Sequence, residues 1–198
     1  SGGAGTNGDH GDLAVIGNST PRYEYSFRIG ADYKGFDISI FCQGIGKRKI
    51  WGSGQLAIPG FNAKEGAIPK AFATDYWRED RTDAFYPRAW DLGNNNTGFS
   101  MQRQSKYLLN MAYLRVKNIN LGYSFQQNLI NKVGLTKARL YLSLENFITF
   151  DNLRGLPVDP EAISGYSMFT SGHTYNLGRT GTGTPVFKSL SFGAQLTF

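Results

Sequence analysis

The residues best equipped for chemistry in this chain of 198 lie mostly between positions 44 and 113. Arg78-Glu79-Asp80-Arg81, followed by Asp83, sets carboxylates beside guanidinium groups. Paired carboxylates can divide acid and base work on a glycosidic bond when they are held at a defined separation. Nothing in this run fixes a separation, and charged side chains of an exposed loop are the ordinary outcome, so no enzyme is expected. His10 and His173 lie far apart, and neither has Cys or carboxylate at metal-site spacing. No serine stands in a nucleophile-elbow pattern. Gly181-Thr182-Gly183 precedes no helix that would turn it into a phosphate cradle. Gly2-Gly3-Ala4-Gly5 and Asn7-Gly8-Asp9-His10-Gly11-Asp12 gather glycine turns and hard oxygens as calcium loops do, but lack the glutamate that closes such loops. The expectation is therefore no metal and no cofactor.

Aromatic side chains offer a different chemistry. Trp51, Tyr76, Trp77, Tyr86 and Trp90 are dotted through the same stretch. Exposed, such rings stack on sugars or anchor a protein partner; turned inward, they pack a loop onto itself. They are the candidate substrate or partner contacts.

The elements that must position them are strands. In the last twelve residues Leu190, Phe192, Ala194, Leu196 and Phe198 fall on one face, and Ser189, Ser191, Gly193, Gln195 and Thr197 on the other. The apolar face runs to the last residue, where chains usually fray into polar ones. Residues 23–33 alternate in the same way, with Tyr23, Tyr25, Phe27, Ile29, Ala31 and Tyr33 opposite Glu24, Ser26, Arg28, Gly30 and Asp32. Lys34-Gly35 is a hairpin turn into a second strand carrying Phe36, Ile38, Ile40 and Cys42 on its apolar face. Residues 113–125 form a third strand, with a phase change between Val116 and Ile119 that predicts a bulge near Lys117 and Asn118. A link over 126–136 holds Leu129, Ile130 and Val133 at helical spacing before Gly134. The fourth strand then sets Ala138, Leu140, Leu142 and Leu144 against Arg139, Tyr141, Ser143 and Glu145. The class is all-β and antiparallel.

Two bulk properties narrow the environment. Charged residues make up 18% of the chain, below the ~25% of ordinary globular proteins. The net charge of +6 is scattered, without the basic patch of a nucleic-acid binder. Cys42 is the one cysteine, so no internal disulfide forms. No apolar run approaches the roughly 18 residues of a membrane helix, and the start is not a signal peptide, so any membrane crossing must use strands. The links alternate in length: Lys34-Gly35 is short, 44–113 long, 126–136 short and 151–185 long. Outer-membrane barrels show this alternation because their periplasmic turns are short and their outer loops long. Five strands do not close a cylinder, since the smallest such barrels have about eight. The reading is a transmembrane β-barrel of which residues 1–198 form the C-terminal part, with further strands encoded upstream. Tyr23, Tyr33, Phe36, Tyr123 and Phe198 sit near strand ends, where aromatic girdles mark the membrane boundaries.

Specific residues add a resemblance. Tyr113-Leu114-Arg115-Val116-Lys117-Asn118-Ile119-Asn120-Leu121-Gly122-Tyr123, Arg139-Leu140-Tyr141 with Glu145-Asn146, Asp159-Pro160-Glu161 and the closing Phe198 resemble the C-terminal signature of SusC/RagA-type TonB-dependent transporters of Bacteroidetes. Ile16-Gly17-Asn18 with Pro21, and Tyr33-Lys34-Gly35-Phe36-Asp37 with Gln43-Gly44, are similar to the same family, so the likeness covers nearly the whole chain. Before Ile16 the chain departs from it: Gly5 stands where a calcium-like loop of the family begins with Asp, and His10 interrupts the run. The resemblance implies a barrel of about 22 strands. Its N-terminal plug and TonB-contacting box would lie upstream, outside this chain. It also implies energised import of oligosaccharides or other nutrients, peptides among them, in the bacterial outer membrane, with a SusD-like surface lipoprotein over the barrel mouth. The C-terminal Phe198 is then the barrel-assembly residue. The reading from a different class is a soluble β-rich carbohydrate-binding domain.

Overall fold

The computed structural model describes residue 11 and residues 14–52, 69–88, 104–161 and 186–198. Its frame is one antiparallel sheet of five strands: β1 (Tyr23–Tyr33), β2 (Phe36–Gly46), β5 (Tyr113–Ser124), β6 (Lys137–Asp151) and β7 (Ser189–Thr197), neighbouring one another in that order. A second, two-stranded sheet pairs β3 (Lys49–Trp51) with β4 (Leu108–Asn110). The helices are single turns, α1 (Lys70–Ala73) and α2 (Gln127–Ile130), the latter continued by a 3-10 turn over Asn131–Val133. No helix among the described residues is long and apolar enough to cross a membrane, which says nothing of strands.

Lys34 and Gly35 both take positive φ, 47° and 88°, the pattern of a two-residue hairpin turn whose twist matches its strands. Glycine is needed at position 35, because a Cβ there would lie 2.7 Å from the Ser124 carbonyl oxygen of the next strand. From this turn the register is set: Ala31 opposes Ile38, Ile38 opposes Leu121, Leu121 opposes Leu142 and Leu142 opposes Phe192. The alternation read in each strand therefore adds up to one apolar face and one polar face across the sheet.

The expected bulge is present. Against β2, Val116 opposes Cys42 and Asn118 opposes Phe41, leaving Lys117 as the extra residue; against β6 the same two residues oppose Ile148 and Glu145, so Lys117 stands against Asn146 and Phe147. Across the pair, Asn146 takes φ 56°. The expected helical turn before Gly134 is α2 with its 3-10 extension, closed by Gly134 at φ 75°. Only Ile130 of its three apolar residues is buried.

Three elements exceed the sequence expectation. β2 runs on to Gly46, β6 runs on to Asp151, and the long link between β2 and β5 is tied at its base by β3 and β4. Strands of three residues carry no readable period, and Lys49 meets Asn110 across a large sequence separation. In β6 the left-handed Asn146 breaks the alternation that would have extended the reading.

The apolar face has no second layer against it among the described residues. Ile29 is 61% exposed and Phe192 72%, and every residue of β1 is exposed. The buried core lies elsewhere, in Phe72, Tyr86, Met111, Leu153, Leu156 and Val158, all contributed by the links at the long-loop end.

Candidate functional site at the long-loop end

The bulge at Lys117 decides where Arg115 points. Without the extra residue Arg115 would share the apolar face with Ile119 and Leu121; with it, Arg115 stands on the polar face opposite Gln43 and Thr149. There its side chain is 4% exposed and fully engaged. Nη2 donates to Asp159 Oδ1 at 2.7 Å, Nε donates to Thr149 Oγ1 at 2.9 Å, and Nη1 pairs with Glu161. The other oxygen of Glu161 takes the ammonium of Lys117.

Asp159 is the centre of this clasp. Its Oδ1 also accepts from the Glu161 backbone N–H at 2.9 Å, and its Oδ2 from the Val186 N–H at 3.3 Å. Burial raises the carboxyl's pKa, but the Glu161 N–H, Arg115 and the Val186 N–H outweigh it and hold Asp159 below the ordinary carboxylate value. The two ends of the link from β6 to β7 are thus fastened to each other and to the wall at one buried arginine.

Beside the clasp, the link between β2 and β5 builds a small platform with its own core. Phe72 of α1 meets Tyr86 edge to face, ring centroids 4.6 Å apart, and both pack with Met111, Leu153, Leu156 and Val158. Asp75 holds the platform to the neighbouring link. Its Oδ1 accepts from Arg81 at 3.1 Å and from the Phe85 N–H at 3.3 Å, and its Oδ2 accepts from Arg154 at 3.2 Å. Burial raises the Asp75 pKa, but the Phe85 N–H, Arg154 and Arg81 together lower it further than burial lifts it. The Arg154 guanidinium also stacks 4.1 Å from the Phe85 ring centre.

The sequence-derived contacts divide. Trp51 lies in β3, half-buried, opposite Leu108. Tyr76 and Trp77 are half-buried on the platform, where Tyr76 forms a bridge with Tyr86 and the Trp77 N–H donates to the Tyr86 carbonyl at 3.0 Å. Tyr86, expected among the contacts, is only 5% exposed and belongs to the core; its hydroxyl pKa is raised by that burial. Self-packing is its role here, because its ring fills the centre of the platform between Phe72, Met111, Leu153, Leu156 and Val158. Trp90 lies outside the described residues, as do His10, His173 and all of the glycine-rich start except Gly11. Phe198 follows β7 at the opposite, short-link end and is 87% exposed.

Arg78-Glu79-Asp80-Arg81 is a tight turn closed by backbone hydrogen bonds between Arg78 and Arg81, with Asp80 beside Arg78 and Asp83 beside Arg81. Among the described residues no group of three or more His, Cys, Asp or Glu could hold a metal ion. Sequence reasoning missed Phe85, Lys106, Tyr107 and Arg154. Lys106 stands 5.7 Å from the Phe85 ring centre and 5.4 Å from that of Tyr107. Lys106 and Arg154 reach the Phe85 ring from positions distant in sequence, which leaves no local pattern to read.

The polar face below this end carries a second device. Asp37 of β2 and Arg139 of β6 form a two-pronged pair that reaches over β5 at Gly122, where any Cβ would collide with both side chains. Between the pair and the clasp the wall is polar and mostly uncharged: Asn118 donates to Ser143 Oγ at 3.0 Å, and Ser39 faces Asn120.

No family model matches the chain. Two curated proteins of Formosa agariphila are similar to it: TonB-dependent receptor P3, 29% identical over 151 residues, covers 76% of this chain with 14% of its own length. TonB-dependent receptor P39 is 26% identical over 156 residues, 73% of this chain and 14% of the receptor. The chain therefore spans about a seventh of the length of the curated relatives it matches. Two solved structures share its fold at a TM-score of 0.62: the RagAB peptide importer in its closed-closed state, 25% identical over 93% of this chain and 18% of that one, and the RagAB peptide transporter, 26% identical over 91% and 17%. In sequence and in fold the chain is similar to a stretch of the β-barrel of SusC/RagA-type TonB-dependent transporters, proteins of the bacterial outer membrane.

Proposed function

We propose that this chain supplies the C-terminal part of the wall, and two outer loops, of an importer that takes oligosaccharides or other nutrients, peptides included, across the outer membrane. In this reading an upstream plug gates the lumen and TonB energises it from the inner membrane. A SusD-like surface lipoprotein docks over the mouth. Residues 1–198 form one part of a single barrel domain of about 22 strands. The edges of β1 and β7, which have no strand partner among the described residues, pair with strands outside the chain, because an open edge in lipid leaves backbone groups unpaired at several kcal/mol each.

The observation that carries the reading is the uncovered apolar face of the sheet joined to links of alternating length. A soluble domain buries such a face under a second layer; a barrel wall turns it to lipid. The platform supplies the docking ledge, with Trp51, Tyr76 and Trp77 as contacts to lipoprotein or substrate; the sequence offers Trp90 as a further contact. Phe198 ends the strand at the periplasmic boundary and takes part in assembly.

The test uses the full-length transporter. Extraction with the outer membrane and heat-modifiable mobility on gels are expected, together with uptake of a labelled oligosaccharide or peptide that stops when TonB is removed. A full-length product found in the water-soluble fraction would overturn the reading in favour of a soluble carbohydrate-binding protein.

A further inference from the structure

The short-link end of the apolar face is not flush. A trough of about 430 Å³ crosses it, lined almost wholly by apolar groups. It runs between two registered rows of side chains. On one side lie Ala31, Ile38, Leu121, Leu142 and Phe192, each opposite the next on adjacent strands. On the other lie Tyr33, Phe36, Tyr123 and Leu140, in register one step nearer the short links. The floor between them is shallow in side chains because Asp37, Gly122 and Tyr141 send theirs to the polar face or have none. At the β1 end the trough is lined by the small Ala31 and the large Tyr33.

A cation stands beside the lining ring at that end. Lys34, in the turn after Tyr33, places its ammonium 5.1 Å from the Tyr33 ring centre. The two acidic residues nearest in sequence, Asp32 and Asp37, register on the opposite face, where Asp37 is taken by Arg139. On the neighbouring short link, Leu129 and Val133 are 57% and 69% exposed, apolar side chains suited to the boundary between headgroups and acyl chains.

We propose that this trough and Lys34 form a seat for one anionic glycerophospholipid of the inner leaflet, its acyl chain in the trough and its phosphate on the lysine. The proposal rests on the outer-membrane reading above, which puts the short links on the periplasmic side. The geometry suits a chain rather than a flat lipid contact. Barrel strands tilt by roughly 35 to 45° from the membrane normal, so a trough running across the strands also climbs obliquely into the hydrocarbon layer. An extended acyl chain can therefore follow it while its headgroup stays at the surface. A lysine held over an aromatic ring at the boundary is the snorkelling arrangement that meets an anionic headgroup without leaving water.

The test is native mass spectrometry of the full-length transporter, delipidated in mild detergent and titrated with phosphatidylglycerol or, separately, phosphatidylcholine. One phosphatidylglycerol adduct is expected at a lipid excess at which phosphatidylcholine gives none. Lys34→Glu should abolish the preference between the two lipids. Ala31→Phe, which fills the trough, should abolish the retained adduct for both. Gln195→Glu, on the opposite face, should change neither. Adducts unchanged in number and selectivity across these variants would show annular lipid only and overturn the proposal, as would a retained second copy of the protein in place of lipid. Heat-modifiable mobility of each variant separates this failure from that of the barrel reading: a protein that never assembles as a barrel overturns both.

Discussion

The sheet and the loop platform use the same apolar side chains in opposite senses. Phe192 on the sheet is 72% exposed, whereas Phe72 on the platform is 1% exposed. On the sheet, apolar residues recur every second position and stay uncovered; on the platform they recur without period and converge on one another. The difference lies in the medium each region meets. A wall strand needs only a face that lipid accepts, and its stability comes from backbone pairing to its neighbours. A loop at the membrane surface meets water, so it must make an interior from its own residues and pin its backbone with buried ion pairs.

The strongest way to break this comparison is to empty the platform while leaving the sheet alone. Phe72→Ala removes a fully buried ring and should cost the platform about 3 to 5 kcal/mol. The expected outcome in the full-length transporter is rapid proteolytic nicking within the link between β2 and β5, weakened lipoprotein binding, and an unchanged yield of heat-modifiable barrel. Loss of barrel along with the platform would mean that the two regions fold as one unit.

Arg115→Ala probes the join between them. It strands the Asp159 and Glu161 carboxylates, and breaking a buried pair in this way costs about 3 kcal/mol or more. Lys117 still compensates part of Glu161, which keeps the expected effect at the low end. Faster protease cutting of the link between β6 and β7 is the readout. The pH dependence follows from the direction of the Asp159 shift. Its folded pKa is depressed, so the clasp's contribution is fully present above the unfolded value of about 3.9 and is lost as pH falls through the lower folded value. Proteolysis should therefore be flat between about pH 5 and 8, and a clasp that opens in that range would contradict the assignment.

Much of the sheet was open to sequence reasoning because its signal is local. Tyr23 to Tyr33 alternates without interruption, Lys34-Gly35 names its turn, and the step from Val116 to Ile119 marks the bulge at Lys117. The site was far less accessible. Nothing near Asp159 announces Arg115, which lies on β5 and faces it only because of the bulge at Lys117. Tyr86 and Tyr76 look alike in sequence, yet the first is core and the second half-exposed, because burial in an aperiodic loop is decided by partners distant in sequence, such as Met111 and Leu153. The three-residue pairing of β3 with β4 is hidden for the same reason.

The sheet's side of the comparison is sharpened by two arginines introduced at adjacent positions. Leu142 faces the apolar side and Ser143 the polar side of β6. Leu142→Arg puts a charge in hydrocarbon at about 2 to 4 kcal/mol, whereas Ser143→Arg adds one to a wet wall and should be milder. The fraction of heat-modifiable barrel in isolated outer membranes measures both, and equal tolerance would contradict the facing of the sheet.

The smallest effect is expected at the pair on the polar face. Asp37 and Arg139 keep 28% and 31% of their side-chain surface exposed, unlike Arg115 at 4%. Ion pairs open to water contribute up to about 1 kcal/mol, so Asp37→Asn should leave barrel yield and thermal stability nearly unchanged. Gly122→Ala acts on the same pair by a different route, since its methyl group occupies the space through which the two side chains meet. If the pair matters only as a contact, the two substitutions should have equal and small effects. If β5 must stay bare at Gly122 for the strands to lie in register, Gly122→Ala should lower the temperature at which heat modification occurs while Asp37→Asn does not. The second outcome is expected, because a side chain can swing toward water but the backbone of a central strand, held on both sides by β2 and β6, cannot move aside.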